Sequence, residues 1–122
     1  MSVRRAEWAA IFFAIAAASA GGARAQGANG EDIFNTRCVM CHAPTGGGEG
    51  PSLKGVVGRK AASAPGFEYS PALKASGLTW TPAELDRFLT DPQKALPGTA
   101  MVVSVPDPAE RAALIDYLKS PN

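Results

Sequence analysis

The sequence predicts an all-α domain with long connecting loops. Capping residues followed by proline recur along the chain as helix starts, and apolar residues recur at helical spacing within the segments after them. No stretch is a convincing strand, because the only candidate, Val102–Val105, is short and flanked by Pro106.

Residues 1–25 have the pattern of an export signal that is cleaved from the mature protein. Arg4 and Arg5 form a basic start, an apolar stretch runs from Trp8 to Ala20, and Ala23-Arg24-Ala25 matches the small-x-small pattern before a cleavage point. The apolar stretch is short for a membrane span of about 20 residues, and an uncleaved N-terminal anchor is the alternative. We therefore expect residues 26–122 to form one domain of a periplasmic protein.

The composition of the mature domain argues against a nucleic-acid partner. The full chain has 12 Lys+Arg and 11 Asp+Glu, and the export segment contains three of the basic residues and one of the acidic ones, which leaves 9 against 10. A domain with this balance has no sequence-wide attraction to nucleic acid. Its 97 residues (122 minus 25) are enough for one small domain with a marginal core. An embedded apolar cofactor is compatible with that size.

The first helix is predicted to start at Asn29 or Gly30 and to run into Cys38, with two acidic residues in its first turn. From Ala43 to Phe67 the chain is rich in Gly and Pro and has no sustained period. A loop of this length inside a compact domain is usually functional or disordered. We expect an ordered loop that wraps around a bound group.

Two helices are predicted in the middle of the chain. Ser70-Pro71 is a capping residue followed by proline at the first helical position, and Gly77 ends this short helix. Thr81-Pro82-Ala83-Glu84 is a capping box that starts the next helix. One face of that helix is apolar and contains Leu85, Phe88 and Leu89.

The last third of the chain is predicted to contain a loop and a final helix. Asp91-Pro92 stops the preceding helix and starts a loop that extends to Pro106. Asp107-Pro108 then opens the last helix. Its buried side should contain Leu114, Tyr117 and Leu118.

The segment Cys38-Val39-Met40-Cys41-His42 is the C-x-x-C-H arrangement for attaching c-type haem. Each thiol adds to one vinyl group of the haem, so the two sulfurs have to lie about one helical turn apart. The adjoining His42 then presents an imidazole nitrogen to the iron. The sequence predicts one haem c, bound covalently through Cys38 and Cys41.

A disulfide, a redox-active cysteine pair, a zinc site and a chance match are the alternatives to haem attachment for this segment. In an exported protein with two cysteines a disulfide is the ordinary expectation, and a redox-active pair would require a βαβ setting. A structural zinc site requires four ligands, whereas the chain has two Cys and one His in total. A chance match of five residues is the last alternative. The export signal, the helix before the motif and the loop after it favour haem.

The single histidine constrains the second axial position of the iron, where Met, Lys, Tyr, an amine, water or nothing can lie. Met1 leaves with the export signal, and Met40 lies between the anchored cysteines on the His42 side. Met101 is therefore the predicted ligand, with a core-filling thioether as the alternative. If both axial positions are filled, no substrate reaches the iron, which favours electron transfer over a haem enzyme or gas sensor.

From Gly27 to Ser120 the sequence resembles class I cytochromes c, the small soluble single-haem type. The motifs that carry the resemblance are, in order, Cys38–His42, Gly50–Leu53, Gly55–Arg59, Gly66–Ser70, Leu78–Trp80, Pro97–Met101 and Glu110–Lys119. The resemblance implies the fold of that family, with about four to five helices and long loops wrapped around one covalent haem.

The resemblance also implies roles for individual residues. The carbonyl of Pro51 should accept a hydrogen bond from His42 and so fix the ring. Phe34 should cross the last helix near Leu114 and Tyr117. The polar groups that hold the inner haem propionate should be Arg59, Tyr69 and Trp80, with Ser70 and Thr99 nearby.

Three positions depart from the family pattern. Leu73 stands where many relatives have Asn, and Phe88 stands where many have Tyr. The Asn and Tyr side chains of those relatives would form hydrogen bonds near the methionine sulfur, and Leu73 and Phe88 cannot. Val103 replaces a usual aromatic residue beside the haem edge, so details of docking in the family are not carried over.

As a function, the resemblance implies a monomeric electron carrier without enzymatic activity, which shuttles single electrons between periplasmic or membrane-bound oxidases, reductases and dehydrogenases. Contact with the membrane then occurs only through those partners, unless the signal is uncleaved. A positive docking face is predicted from Lys54, Lys60, Lys74 and Lys94, for which ordinary solvated lysines are the alternative. A dedicated electron-accepting subunit of one dehydrogenase is also an alternative.

Overall fold

The computed structural model describes residues 27–120 of the chain. In that range the polypeptide forms five helices, which are α1 (Gly30–Arg37), α2 (Pro71–Ala75), α3 (Pro82–Thr90), α4 (Pro92–Ala95) and α5 (Pro108–Leu118). None of these helices is long and apolar enough to span a bilayer. The predicted export signal, residues 1–25, lies outside the described residues.

The all-α fold class predicted from the sequence is confirmed, because residues 27–120 contain five helices and no sheet. The strand candidate Val102–Val105 is extended chain without a strand partner. Its last residue is almost fully buried, and its amide donates a hydrogen bond to the carbonyl of Leu89 at 2.7 Å. This segment therefore packs against the end of α3.

Each helix begins at a residue whose side chain accepts a backbone N–H from the first turn. Asn29 accepts from the amides of Glu31 and Asp32 in α1. The other four caps are each followed by proline at the first helical position, and they are Ser70, Thr81, Asp91 and Asp107. Because proline has no N–H to leave unpaired, this arrangement suits the start of a helix.

The predicted loop from Asp91 to Pro106 is wrong at its beginning, where the chain forms α4. The Asp91 carboxylate accepts the amide of Lys94 at 3.1 Å and so caps a new helix immediately after α3 ends. Pro92 then occupies the first position of α4 and is buried. The same dipeptide ends one helix and starts the next.

The two ends of the domain meet where α1 crosses α5. A Cβ atom at Gly30 would lie 2.1 Å from the carbonyl oxygen of Ala113, so only glycine permits this approach. One turn later, the rings of Phe34 and Tyr117 lie 5.4 Å apart between centroids, as expected from the sequence. Leu114 beneath them is almost fully buried. This crossing holds the cysteine-bearing end of α1 against the core.

A short antiparallel pairing joins the long loop to the chain before α3. The amide of Gly58 donates to the carbonyl of Trp80, the amide of Trp80 donates to the carbonyl of Arg59, and both distances are 2.8 Å. Gly58 completes the turn that leads into this pairing. Its φ is +85°, a value that residues with a side chain rarely adopt. The pairing places Arg59 and Trp80 side by side.

Candidate functional site

All ten residues predicted to bind the cofactor line a single cavity in the described part of the chain. The rest of its lining is mostly apolar and comes from α1, α2, α3, α5 and the loops between them. The ten residues are Cys38, Cys41, His42, Pro51, Arg59, Tyr69, Ser70, Trp80, Thr99 and Met101. The cavity is therefore an apolar chamber with a few polar groups aimed into it, which is the usual composition of a cofactor site.

The two cysteines lie one turn apart at the end of α1. Cys38 caps the helix, and its carbonyl accepts the amides of Cys41 at 3.1 Å and His42 at 2.8 Å. Cys38 is buried and Cys41 is half-buried, and both sulfurs are free. This helical turn presents two thiols and the His42 ring to the same cavity.

The His42 ring is held from behind by the following loop. Its Nδ1 lies 2.8 Å from the carbonyl oxygen of Pro51, and since a carbonyl can only accept, Nδ1 carries the proton. The other nitrogen, Nε2, then has a free lone pair. Gly50 packs against the ring so closely that a Cβ there would lie 2.6 Å from His42 Cε1. The ring is fixed in position and tautomer.

Burial raises the pKa of the Cys38 thiol above its ordinary value, although the neighbouring Arg37 opposes the shift. Redox-active cysteine pairs depend on a lowered thiol pKa and an electropositive setting. A thioredoxin-like function for this pair is therefore disfavoured. Among residues 27–120, no three His, Cys, Asp or Glu side chains are grouped to hold a metal ion.

The two methionines in the described range have different surroundings. Met101 is half-buried against the core and lines the cavity, while Met40 is 86% exposed and is not part of the lining. Met1 lies outside the described residues. Of the two, only Met101 lines the cavity.

Arg59 has one nitrogen that lacks a partner. Its terminal nitrogens donate to the carbonyls of Ser52 and Lys54, both at 3.0 Å, and so brace the loop. Its Nε is buried and has no hydrogen-bond partner. An unpaired buried N–H of a cation is costly, so this atom indicates a missing anionic or polar group at the cavity wall.

The other predicted polar residues are held by local contacts. The Tyr69 hydroxyl accepts the amide of Ala64 at 3.0 Å, which leaves its own proton to donate elsewhere. Ser70 caps α2 and Thr99 is buried after the α4 turn. Trp80 packs against Phe88 with ring centroids 5.0 Å apart. These residues reach the cavity from three separate segments.

Two apolar residues line the cavity together with Met101. They are the half-buried Leu73 on α2 and the buried Phe88 on α3, and neither side chain has a hydrogen-bonding group. Two exposed valines, Val102 and Val103, also contribute to the lining directly after Met101. The cavity wall is therefore apolar on this side and continues to the surface.

Sequence reasoning assigned no role to three residues near the site. Gly50 contacts the His42 ring, Glu49 places its carboxylate 3.8 Å from the Cys41 sulfur, and the Gln93 amide contacts the backbone beside Met101. A glycine before Pro51 and a single glutamine give no signal of their own. Their positions depend on contacts between segments that a one-dimensional pattern does not reveal.

Comparison with known proteins gives a consistent family. The Cytochrome c family model matches residues 27–121. The chain is 45% identical over 94 residues to cytochrome c2 of Rhodopila globiformis, covering 75% of this chain and 89% of that protein. It is 47% identical over 96 residues to cytochrome c of Chlamydomonas reinhardtii, covering 75% and 86%.

The fold is similar to that of a solved structure. Cytochrome cH from Methylobacterium extorquens superposes with a TM-score of 0.70 at 49% sequence identity. The match covers 74% of this chain and 93% of that one. The identity is high enough for the likeness to concern the family as well as the fold.

Proposed function

The chain belongs to the cytochrome c family, and we propose that it is a periplasmic single-electron carrier whose iron is held by His42 and Met101. Proteins of this family bind haem c covalently through cysteine, and they are electron carriers rather than enzymes. Haem supplies a reversible one-electron couple at its iron when it is bound. The chain's own residues attach it, orient it, exclude water and tune its potential.

The observation that carries the proposal is that the Cys38–His42 turn and Met101 line one apolar cavity. Attachment through Cys38 and Cys41 fits two thiols that are free and one helical turn apart. The unpaired Nε of Arg59 fits a carboxylate of the group, because a propionate would supply the acceptor that this atom lacks. The residues therefore fit a haem.

His42 is suited to be the ligand on one side of the iron. The Pro51 carbonyl holds the proton on Nδ1 and leaves Nε2 as the electron-pair donor. A hydrogen bond of this kind raises the basicity of the imidazole, which favours the more highly charged ferric iron. Gly50 leaves the room that the ring needs in that orientation, since a Cβ there would lie 2.6 Å from His42 Cε1.

Met101 is suited to be the ligand on the other side. Met101 lines the cavity, whereas Met40 is exposed to solvent. A thioether sulfur carries no charge, and His/Met ligation raises the potential of a haem. If His42 and Met101 both bound the iron, no position would remain for a substrate, and the protein would exchange only electrons.

Arg59, Tyr69 and Trp80 are proposed to hold the inner propionate, with Ser70 and Thr99 nearby. The antiparallel pairing of Gly58 and Arg59 with Trp80 fixes two of these side chains relative to each other. A cationic guanidinium beside the propionate would offset its charge, and the free Tyr69 proton provides a further donor.

The apolar wall beside Met101 is expected to influence the potential in two opposite directions. Leu73 and Phe88 keep the pocket dry, and a dry pocket disfavours the extra charge of ferric iron and raises the potential. The same residues provide no donor to the methionine sulfur, and the loss of such a donor lowers the potential. A redox titration of Leu73→Asn measures the balance of the two effects.

Redox partners are proposed to be periplasmic or membrane-bound oxidases, reductases and dehydrogenases that bind transiently. Lys54, Lys60 and Lys94 are exposed and have no ion-pair partner among the described residues, whereas Lys74 is paired with Glu68. Long-range attraction to an acidic partner therefore depends mainly on the first three. The exposed Val102 and Val103 provide apolar contact next to the ligand.

The periplasmic location is proposed from the N-terminal sequence alone. Residues 1–25 have the export pattern, and covalent attachment of haem through two thiols is compatible with export. Cell fractionation combined with N-terminal sequencing tests this part. We expect the mature chain in the periplasmic fraction with Gln26 as its first residue, and a cytoplasmic haem protein would contradict it.

Met101→Ala tests the proposed function, with Met40→Ala as the matched control. The ferric wild-type protein should show the methionine-to-iron charge-transfer band, and Met101→Ala should abolish it, lower the potential by a large step and admit small ligands such as cyanide or imidazole. Met40 is exposed and away from the cavity, so Met40→Ala should leave all three properties unchanged. Both variants should retain covalent haem.

If Met101→Ala keeps the band and the potential of the wild type, Met101 is not the ligand. If Met40→Ala abolishes the band instead, the chain binds the iron from its exposed loop and the cavity assignment is wrong. Either result overturns the proposed ligation, while the electron-carrier class given by the family remains.

A further inference from the structure

A single glutamine contacts the backbone of the Met101 segment in two places. Gln93 lies in α4, and its side-chain Nε2 donates to the carbonyl of Thr99 at 2.8 Å and to the carbonyl of Met101 at 2.9 Å. Among residues 27–120, no other donor reaches either carbonyl. Both oxygens therefore depend on this one amide or on solvent.

The segment between α4 and Met101 has one further internal restraint. The amide of Thr99 donates to the carbonyl of Leu96 at 3.1 Å and closes a turn over Pro97-Gly98. Gly98 has a φ of +90°, which fits the third position of a type II turn with proline before it. After Thr99, neither Ala100 nor Met101 forms a hydrogen bond to another backbone group within the described chain. The Gln93 amide is thus the last restraint before the proposed ligand.

The helix that carries Gln93 is itself firmly held. Asp91 caps its first turn, Pro92 is almost fully buried, and Arg87 on α3 donates to the carbonyl of Ala95 at its other end at 3.0 Å. Because α4 is held in place, the Gln93 amide on it can restrain the loop that contains Thr99 and Met101. The side chain of Gln93 is exposed, so its removal does not create a core cavity.

We propose that Gln93 is a positioning residue that sets how long Met101 stays on the iron. By joining the carbonyls of Thr99 and Met101 to α4, its amide restricts the excursions that would carry the thioether out of the cavity. The proposal deepens the His42/Met101 ligation proposed above and rests on it. The bracing itself is a property of the polypeptide and can be measured without reference to the iron.

Gln93→Met tests the proposal, because methionine keeps the length and removes the donor. Lys94→Met is the matched control on the same exposed helix, since the Lys94 side chain forms no hydrogen bond among the described residues. Its proposed contact with redox partners affects neither measurement below, because no partner is present in them. Gln93→Glu is a second variant of nearly the same shape in which an acceptor oxygen faces the two carbonyls. The measurements are imidazole affinity of the ferric protein and hydrogen exchange of the Thr99 amide.

We expect Gln93→Met to bind imidazole about 5- to 150-fold more tightly than the wild type, the effect of losing two hydrogen bonds of ordinary net strength. The Thr99 amide should exchange faster by a similar factor, because that amide closes the turn that Gln93 braces. Gln93→Glu should have at least as large an effect. Lys94→Met should stay within about twofold of the wild type, as exposed substitutions usually do.

The inference is overturned if Gln93→Met and Lys94→Met have the same imidazole affinity and the same Thr99 exchange rate. A uniform acceleration of exchange across all five helices would also overturn it, since that result means a general loss of stability. If the wild type shows no methionine signature, the proposed ligation fails. The Thr99 exchange rate then still decides whether the amide braces the loop.

Discussion

Gly50 allows the sharpest structural test of the site, because its missing side chain leaves room for the His42 ring. A Cβ atom in Gly50→Ala would lie 2.6 Å from His42 Cε1, whereas ordinary contact begins at 3.4 Å, so the ring has to move by up to about 0.8 Å. The hydrogen bond from Nδ1 to the Pro51 carbonyl is 2.8 Å long. A displacement of that size along the bond would lengthen it to about 3.6 Å, which is too long for a hydrogen bond.

The cost of this substitution can be assembled from its parts. Overpacking costs about 1–3 kcal/mol, and the lost hydrogen bond adds about 0.5–1.5 kcal/mol. Replacing glycine by alanine lowers the entropy of the unfolded chain, which stabilises the folded protein by about 0.5 kcal/mol. The net destabilisation is about 1–4 kcal/mol, which should lower the Tm of a domain of this size by at least about 4 °C.

Thermal denaturation of the haem-loaded protein, followed by circular dichroism, measures the effect. Gly27→Ala is the control, since a Cβ at that position meets no atom within 4 Å. A redox titration of the same samples should show a higher potential for Gly50→Ala, because a weaker imidazole donor stabilises ferric iron less. If Gly50→Ala melts within about 2 °C of the wild type with an unchanged potential, the close contact between Gly50 and the His42 ring does not hold the site.

Three further predictions concern the frame around the site. Gly30→Ala should lower the free energy of unfolding by about 1–3 kcal/mol, because its Cβ would lie 2.1 Å from the α5 backbone; denaturant unfolding equal to that of Gly27→Ala would contradict this. Arg59→Met should lower the free energy of unfolding by about 1–3 kcal/mol, because two hydrogen bonds are lost. Arg59→Lys should be destabilised by less than Arg59→Met but should not reach the stability of the wild type. A wild-type stability of Arg59→Lys would count against the contact of both guanidinium nitrogens with the loop. The hydrogen bond and charge of Lys74 lower the pKa of Glu68 below its ordinary value, so Lys74→Gln should raise it in an NMR titration. The pKa of Glu68 is lower in the folded than in the unfolded chain, so the small contribution of this exposed pair to stability is present at neutral pH and disappears as the pH falls through the folded-state pKa. If the Glu68 titration is unchanged in Lys74→Gln, the pair does not form in solution.

The fold was predictable from the sequence where local signals decide it. Ser70-Pro71, Thr81-Pro82 and Asp107-Pro108 were predicted as helix starts and are helix starts. The same signature at Asp91-Pro92 was interpreted only as a stop, and α4 was missed. The failure is one of interpretation, since an Asp-Pro step can end one helix and cap another.

Only half of the predicted capping box is formed. The hydroxyl of Thr81 accepts the amide of Glu84 at 3.2 Å, but the Glu84 carboxylate pairs with Arg87 at 2.9 Å. An arginine one turn further along the helix competes for the carboxylate with the backbone N–H of the cap. Spacing alone does not decide between two available partners.

The residues predicted for the site line one cavity, but the contacts that support them were not predicted. Patterns of a few adjacent residues identified the haem motif, and the resemblance supplied the polar residues that the structure brings to one cavity. The pairing of Arg59 with Trp80 and the contact of Gln93 with Met101 involve segments that have no shared pattern. Such contacts are fixed by how loops pack, so they become visible only in three dimensions.

We propose that one haem is attached through Cys38 and Cys41 and that its iron lies between His42 and Met101. This can be tested by purifying the exported protein from a host that matures c-type cytochromes and analysing the oxidised form by mass spectrometry and absorption spectroscopy. We expect the mass of the mature chain plus one haem, no free thiol and a methionine-to-iron charge-transfer band. A colourless chain with two free thiols, or a haem protein without that band, would contradict it.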